Sequence, residues 1–158
     1  MRKLAVLRAE KPTLSFYRYL YETIGRPWLW TDRRDLSDDE LAALIHNDKI
    51  EIYVLYVAGV PAGFTELDFR GETRVEITHL GLVPEFTGQG LGRFLLNWSV
   101  DAAWRAETRI VTVETDTADN PRALGMYQRA GFNVVGRTEV EQKPHPALTN
   151  LPSPSQDL

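Results

Sequence analysis

A strand-like run that enters a helix through closely spaced glycines is the feature that most restricts how this 158-residue chain can fold. Residues 81–100 read GLVPEFTGQGLGRFLLNWSV, and an amphipathic helical pattern begins beside Gly88, Gly90 and Gly92. Glycine allows positive φ and lets a ligand approach the backbone, but inside a helix it costs roughly 1 kcal/mol. Since the first turn of a helix offers unpaired N–H groups to an anion, the corner fits phosphate binding and tight helix–sheet packing equally well.

The rest of the chain predicts elements that describe an α/β (α+β) domain built on a mixed sheet. Apolar runs bounded by turn residues predict strands at 3–8, 51–57, 62–70, 73–83, 109–115 and 132–141. Spacings of three and four predict helices at 13–25, 37–46, 89–106 and 121–130, the second with a Ser37–Glu40 capping box. We expect residues 1–142 to form one domain. Residues 143–158 contain four prolines and no periodicity, which predicts a mobile tail or a surface strap.

Composition and charge exclude several classes of function. The net charge of −4 argues against nonspecific nucleic-acid binding, which depends on Lys and Arg neutralising phosphates. The chain has no cysteine, hence no disulfide, thiolate metal site or cysteine nucleophile, and its three histidines are too far apart in sequence to suggest a metal site. No apolar run is long enough to span a membrane and the N-terminus has no apolar signal core, so we expect a cytoplasmic protein without a membrane partner.

Two common phosphate-binding loops do not fit the glycine corner. A P-loop requires Lys followed by Ser or Thr, and no such pair follows these glycines. A dinucleotide-binding fingerprint requires a third glycine at the position that Arg93 occupies. A second motif is therefore needed before a ligand can be inferred for the corner.

That second motif is NPRALGMYQRAGF, at 120–132. Its first two residues are by themselves a good helix start. Together, however, the spaced residues resemble the pattern N-x-x-A-x-x-x-Y-x-x-x-G-F of the GNAT superfamily of N-acetyltransferases: Asn120, Ala123, Tyr127, Gly131 and Phe132. The glycine corner resembles the acyl-CoA motif of the same family, [QR]-x-x-G-x-[GA], except that Thr87 stands where Arg or Gln is usual. The resemblance covers residues 50–140.

The resemblance implies a GNAT fold, with a mixed, mostly antiparallel sheet of six to seven strands, about four flanking helices, and the fourth and fifth strands splayed apart. It also implies acetyl-CoA as acyl donor. The pantetheine arm would pair with Leu80, Gly81 and Leu82, and Asn120 would contact the cofactor. The diphosphate would lie on the backbone N–H groups of the corner, assisted by Arg93; the corner residues are Thr87, Gly88, Gln89, Gly90, Leu91 and Gly92.

Acetyl transfer to an amine needs an acceptor for the amine proton and a donor for the departing thiolate. By the resemblance Tyr127 contacts the cofactor and is the general acid, and a tyrosine with an ordinary pKa near 10 is suited to protonating a thiolate. Because the chain has no cysteine, a thioester acyl-enzyme is impossible and we expect direct attack in a ternary complex.

For the base, the resemblance points first to Glu76, which lies where several histone-type family members carry a glutamate. On an alternating strand Glu76 shares a face with Leu80 and Leu82, while His79 lies on the opposite face. Glu76 is equally well explained as an exposed strand residue in an ion pair. Glu114 is the second candidate, because other family members use a glutamate on the following strand, and His79 is the third.

The acceptor is expected to be a small-molecule amine or a protein amino group. Trp28 and Trp30 lie in an aromatic segment and could line an acceptor pocket or hold a cation over a ring, although core packing or a dimer face explains them as well. Glu66 and Asp68 share a strand face and could attract an ammonium group or form a solvated face.

Two alternative functions stay open at this point. One is a GNAT-fold module that binds acyl-CoA without transferring the acyl group, which the intact Tyr127 disfavours. The other is a nucleotide-binding α/β domain of another family. A homodimer is compatible with either.

Overall fold

Five strands among the described residues form one sheet, and strands that follow each other in the sequence are neighbours in space. The structure is a computed structural model that describes residues 2–116 and 119–137. The strands are β1 (Leu4–Arg8), β2 (Ile50–Val57), β3 (Val60–Asp68), β4 (Arg74–Leu82) and β5 (Ile110–Val113). The first four are successively antiparallel, whereas β5 runs parallel to β4. This confirms the predicted mixed, mostly antiparallel sheet, with five described strands instead of six or seven.

Four α-helices lie in the described part of the chain, which agrees with the sequence prediction. They are α1 (Leu14–Gly25), α2 (Asp38–Ile45), α3 (Leu91–Ala103) and α4 (Ala123–Arg129), with short 3-10 turns at Arg26–Trp28 and Pro84–Phe86. The predicted capping box of α2 is confirmed, because the Ser37 hydroxyl accepts from the Glu40 N–H and the Glu40 carboxylate accepts from the Ser37 N–H, both at 3.1 Å. Such a cap stabilises a helix by about 1 kcal/mol.

The helices cover the two faces of the sheet with separate apolar clusters. We call the side covered by α1 and α2 the α1 face; its buried residues include Leu20, Ile24, Leu41, Ile52 and Phe64. We call the other side the α3 face; its buried residues include Leu67, Ile77, Leu91, Leu95, Met126 and Tyr127. The cluster on the α3 face includes Ile77, Leu80 and Leu82 of β4, and on the α1 face Ile24 of α1 packs against Gly81, so β4 has helices on either side of it.

Three predicted boundaries are wrong. Residues 132–137 form no strand, and Val135 is 96 % exposed, because an apolar β-branched pattern makes a strand only where a neighbouring strand supplies hydrogen bonds. The remainder of that prediction, 138–141, and the predicted tail at 143–158 lie outside the described residues. Helix α3 begins at Leu91 because Gly90 has φ 80°, and it ends at Ala103 because Trp104 is extended. Helix α4 begins only at Ala123, after a turn.

Candidate active site

Strands β4 and β5 separate after four paired residues and open a cleft in the sheet. The parallel ladder joins residues 74–77 to 110–113. Beyond it, residues 78–82 of β4 remain paired with β3 but have no strand on their other side among residues 2–116 and 119–137. The predicted splay is therefore confirmed. It leaves backbone donors and acceptors of Leu80, Gly81 and Leu82 on a strand edge, which is a template for pairing with an amide-bearing chain.

A one-residue bulge in β4 reverses the faces that its side chains occupy. Glu66 of β3 is opposite His79, whereas the next β3 residue, Leu67, is opposite Ile77, so Thr78 is the extra residue. An inserted residue changes the alternation of side chains beyond it.

The predicted placement of Glu76 on β4 is wrong for this reason. Ile77, Leu80 and Leu82 all belong to the apolar cluster on the α3 face. Glu76, next to Ile77, points to the α1 face, and His79 lies on that face as well. The two base candidates on β4, Glu76 and His79, therefore both point to the α1 face. Leu80 and Leu82 point to the α3 face.

The glycine corner presents donors without partners. Gly88 and Gly90 have φ of 75° and 80°, a left-handed conformation that side chains disfavour. Gly90 is the N-cap of α3 and supplies no side-chain cap. Within the described part of the chain, none of the backbone N–H groups of residues 88–93 donates a hydrogen bond. Free N–H groups at the positive end of a helix favour an anion.

The corner also has a cation that the sequence did not indicate. Thr87, which replaces the usual Arg or Gln, donates its hydroxyl to the Pro84 carbonyl at 2.8 Å and so closes the preceding turn. Arg2 reaches the corner from the N-terminus and donates to the Gln89 carbonyl at 3.1 Å and to the Gln89 side chain at 3.3 Å. Because 87 residues separate the partners, no local motif points to this contact.

Asn120 and Tyr127 belong to the segment that follows β5 on the other side of the cleft. Asn120 is 2 % exposed, and its Oδ1 accepts from the Arg122 N–H at 2.9 Å. Its Nδ2 is buried without a partner among the described residues. Tyr127 is 5 % exposed and packs edge-on against Phe132, with ring centroids 6.1 Å apart. Burial, followed by the negative charge of Asp119, raises the pKa of Tyr127 well above its ordinary value, so the hydroxyl keeps its proton.

Three carboxylates lie close together on the α1 face near the start of the cleft. Partial burial, then the charges of Glu114 and Asp68, raise the pKa of Glu76. Glu76 is opposite Thr112 of β5, whose hydroxyl is buried and has no partner among the described residues. Glu114 follows β5 and is exposed. The structure thus brings the first two base candidates together, and a carboxylate with a raised pKa is a better proton acceptor.

A network of charged and hydroxyl side chains fills the α1 face beside the cleft; most of it is buried, and Asp32, whose side chain is 58 % exposed, lies at its outer end. It consists of Tyr17, Tyr21, Asp32, Arg33, Glu66, Thr78 and His79. Glu66 is its centre, with a side chain that is 0 % exposed. One oxygen of Glu66 accepts from the Tyr17 hydroxyl at 2.6 Å, and the other accepts from Thr78 at 2.7 Å and from Arg33 at 2.8 Å. Glu66 is therefore saturated and out of reach of a substrate cation.

His79 lies between the two carboxylates of this network. Its Nδ1 is 3.4 Å from a Glu66 oxygen, and its Nε2 is 3.2 Å from Asp32 Oδ2. Tyr21 donates to Asp32 Oδ1 at 2.6 Å. Burial alone would lower the pKa of His79, but the charge of Glu66 and the hydrogen bond to Asp32 raise it to about 9. Burial alone would raise the pKa of Asp32, yet His79 and Tyr21 hold it at about 2. The imidazole is thus charged at neutral pH.

The two tryptophans occupy different positions. Trp30 packs between Tyr21, Phe64 and His79, with ring centroids 5.2–6.1 Å away. A Cβ added to Gly81 would lie 2.5 Å from Ile24 Cγ2 and 3.2 Å from Trp30, so Gly81 is required by packing on this face. Trp28 is half-buried in the 3-10 turn. The sequence indicates the aromatic segment, but nothing in the spacing of Asp32 and Arg33 marks them as the ionic partners within it.

We expect the stability of the protein to fall as the pH rises through the pKa of His79. The folded pKa is about 9 and the unfolded value about 6.5, so the stabilisation is complete below about pH 6.5 and is lost as the pH rises past about 9. Urea unfolding across this range measures the loss. The His79→Gln variant, which has no titrating group here, should show a smaller decrease than the wild type. An equal decrease in both proteins would contradict the charged state of His79.

Neither a metal site nor a membrane span is found in the described residues. No group of three or more His, Asp or Glu side chains within 2–116 and 119–137 is arranged to hold a metal ion. No helix in the same residues is long and apolar enough to cross a bilayer.

The site of this α/β protein is a split mixed sheet in which β4 leads, through a 3-10 turn, to a helix start with free backbone N–H groups. The family follows from comparison with known proteins. A sequence profile of the Acetyltransferase (GNAT) family matches residues 15–132, and the chain belongs to this family.

Two curated relatives match over about half of the chain. The "Peptidyl-lysine N-acetyltransferase YjaB" of Salmonella typhimurium is 32 % identical over 90 residues, covering 56 % of this chain and 54 % of the relative. The "Mycothiol acetyltransferase" of Propionibacterium freudenreichii subsp. shermanii is 37 % identical over 90 residues, covering 55 % of this chain and 28 % of the relative. The chain thus spans about half or less of the length of these relatives.

The fold is also similar to solved structures. The aminoglycoside acetyltransferase meta-AAC0020, from an uncultured soil metagenomic sample, superposes with a TM-score of 0.67 and 16 % identity, covering 89 % of this chain and 97 % of that one. This likeness extends the shared fold beyond the segment that the curated relatives match.

Proposed function

We propose that this protein is an acetyl-CoA-dependent N-acetyltransferase that moves an acetyl group to a primary amine by direct attack in a ternary complex. The observation that carries the proposal is the cleft itself. It runs from the free N–H groups of the glycine corner, along the unpaired edge of β4, to a buried tyrosine on one face of the sheet and a cluster of carboxylates on the other. Membership of the acetyltransferase family supports the same reaction.

The residues around the cleft fit the three parts of acetyl-CoA, which supplies an activated thioester when bound. N–H groups of residues 88–93 would bind the diphosphate, with Arg2 and Arg93 contributing positive charge in place of the missing cation at Thr87. The amides of pantetheine would pair with the free edge of Leu80–Leu82. The unpartnered Nδ2 of Asn120 would donate to a carbonyl of the same arm. A buried donor without a partner costs about 1–3 kcal/mol, and ligand binding would relieve that cost.

The proposed chemistry places acid and base on opposite faces of the sheet. Glu76 accepts a proton from the attacking amine as its nitrogen bonds to the thioester carbonyl carbon. The C–S bond then breaks, and the Tyr127 hydroxyl gives its proton to the departing sulfur. The raised pKa of Tyr127 keeps its hydroxyl protonated until the thiolate leaves but makes it a weaker acid, whereas the raised pKa of Glu76 makes that carboxylate a stronger base.

The amine itself would be drawn to the α1 face as an ammonium ion. Glu76, Glu114 and Asp68 supply negative charge there, replacing Glu66, whose oxygens are already occupied. Trp28, half-exposed in the turn before Asp32, would border this region. The relatives named for peptidyl-lysine and for mycothiol acetylation support both a protein amino group and a small amine as acceptor classes. We place the reaction in the cytoplasm.

Binding of the cofactor is tested by isothermal titration with CoA, acetyl-CoA, NAD and ATP. We expect CoA and acetyl-CoA to bind and NAD and ATP to bind far more weakly. Selective binding of ATP or NAD would overturn the proposal. Binding of acetyl-CoA without any turnover over a panel of amines would make the protein a non-catalytic acyl-CoA module instead.

The role of Glu76 is tested by its pH profile. We expect Glu76→Gln to lower kcat/KM by about 10²-fold and to remove the limb on which activity rises with pH, because the base is gone. Glu114→Gln should keep that limb and displace it to lower pH, since one of the charges that raise the pKa of Glu76 is removed. If Glu76→Gln retains both the limb and the rate, Glu76 is not the base.

A further inference from the structure

A small cavity lies between α1, α2 and the segment that joins these two helices. Its volume is about 40 Å³, which is room for about three water-sized groups. Tyr17, Tyr21 and Leu41 form its buried wall. No described residue of β4, β5 or the glycine corner lines it, so the cavity is separate from the cleft.

Two neighbouring arginines beside this cavity each have a buried N–H donor without a partner. Arg33 and Arg34 both line the cavity, and their side chains are only 15 % and 16 % exposed. Arg33 Nε and Arg34 Nη1 are buried and find no hydrogen-bond acceptor among residues 2–116 and 119–137. Native proteins seldom leave a buried donor unpaired, least of all one on a charged group. The two donors therefore point to an acceptor that occupies the cavity.

The ion pairs that these arginines form within the protein use other nitrogen atoms. Arg33 contacts Glu66 through Nη2 at 2.8 Å and Asp32 through Nη1 at 3.6 Å. Arg34 contacts Asp35 through Nε at 3.4 Å. The carboxylates of the chain thus fix both guanidinium groups and leave Arg33 Nε and Arg34 Nη1 to a ligand.

The outer rim of the cavity adds to its positive charge. Arg18 and Glu22 complete the lining, with side chains that are 32 % and 29 % exposed. Arg18 pairs with Asp38 at 3.2 Å, and Glu22 pairs with Arg26 at 3.3 Å. The lining itself holds three arginines against one glutamate, and a concave surface with an excess of one charge attracts the opposite ion.

We propose that this cavity binds a small carboxylate, of the size of formate or acetate, with one oxygen accepting from Arg33 Nε and the other from Arg34 Nη1. Carboxylates are the natural partners of paired guanidinium donors, and their carbon and two oxygens match the volume of the cavity. The Tyr17 and Tyr21 hydroxyls already donate to Glu66 and Asp32, so the two rings offer the ligand only their apolar surface. This inference does not rest on the proposed function.

The test is thermal unfolding of the full chain at constant sodium concentration, with sodium formate exchanged for sodium trimethylacetate, a carboxylate too bulky for the cavity. We expect the unfolding midpoint to rise by about 3–6 °C once formate exceeds its Kd by roughly tenfold, because the ligand binds only the folded state. Arg34→Ala removes one donor and a contact with the exposed Asp35, and the rise should disappear in it. Arg8→Ala, which removes an exposed arginine on β1, should keep the wild-type rise.

The Nε–H resonance of Arg33 in isotope-labelled protein gives a second measurement that does not depend on stability. Formate should displace this resonance in the wild type and in Arg8→Ala, and leave it in place in Arg34→Ala. A midpoint and a resonance that do not respond to formate would mean that only water fills the cavity, which overturns the proposal. An equal response to trimethylacetate or to sodium chloride, or a formate response that persists in Arg34→Ala, overturns it as well.

Discussion

Replacing Tyr127 by Phe is expected to lower kcat for acetyl transfer by about 10²–10⁴-fold, because the departing thiolate loses its proton donor. The substitution removes only the hydroxyl and keeps the ring that packs against Phe132. CoA affinity and the unfolding midpoint should therefore stay close to those of the wild type. Steady-state kcat with saturating acetyl-CoA and amine measures the effect.

The matched control is Tyr19→Phe, since Tyr19 lies on α1 and is 49 % exposed. It should have wild-type kcat. A Tyr127→Phe protein that binds CoA normally and turns over within about threefold of the wild type would show that another group protonates the leaving thiolate. A large loss of CoA binding instead would assign Tyr127 to cofactor contact.

Replacing Glu66 by Ala is expected to cost about 3–5 kcal/mol of the free energy of unfolding, the largest stability effect we anticipate from a single substitution. The change leaves Arg33 and His79 buried beside a cavity, without the carboxylate that both contact. It also leaves the Tyr17 and Thr78 hydroxyls without their acceptor. Urea denaturation at neutral pH gives the difference.

Glu66→Gln preserves the shape and should cost less than Glu66→Ala, while Glu107→Ala, an exposed carboxylate, should have a negligible effect. The pKa of Glu66 is held well below its ordinary value by His79 and Arg33, which outweigh the effect of burial. Its stabilisation is therefore present above the ordinary pKa of a glutamate and lost only in acid. A Glu66→Ala protein as stable as the wild type would mean that the network contributes nothing to the folded state.

Local patterns in the sequence were sufficient for much of the fold. The glycines at 88–92 predicted the corner, because glycine adopts positive φ and provides no side-chain cap whatever the distant parts of the chain do. The capping box of α2 followed from Ser37 and Glu40 in the same way. The family resemblance added the splay of β4 from β5, which no local pattern contains.

Features that depend on pairing or on distant contacts were not accessible. The bulge at Thr78 is set by the register between β3 and β4, and it puts Glu76 on the face of His79 instead of the predicted face of Leu80 and Leu82. The strand predicted from 132 had the right composition, but strand structure requires a neighbour. Arg2 and Gln89, or Asp32 and His79, are separated by so many residues that only the folded chain brings them together.

The central claim, direct acetyl transfer from acetyl-CoA to an amine, is tested most directly by thiol release with varied amounts of both substrates. Amines from a panel of small amines and lysine-containing peptides are each combined with acetyl-CoA, and mass spectrometry identifies the acetylated product. We expect release of free CoA that depends on the amine, with double-reciprocal lines that intersect. Parallel lines, or no amine-dependent release from a protein that binds acetyl-CoA, would contradict the account.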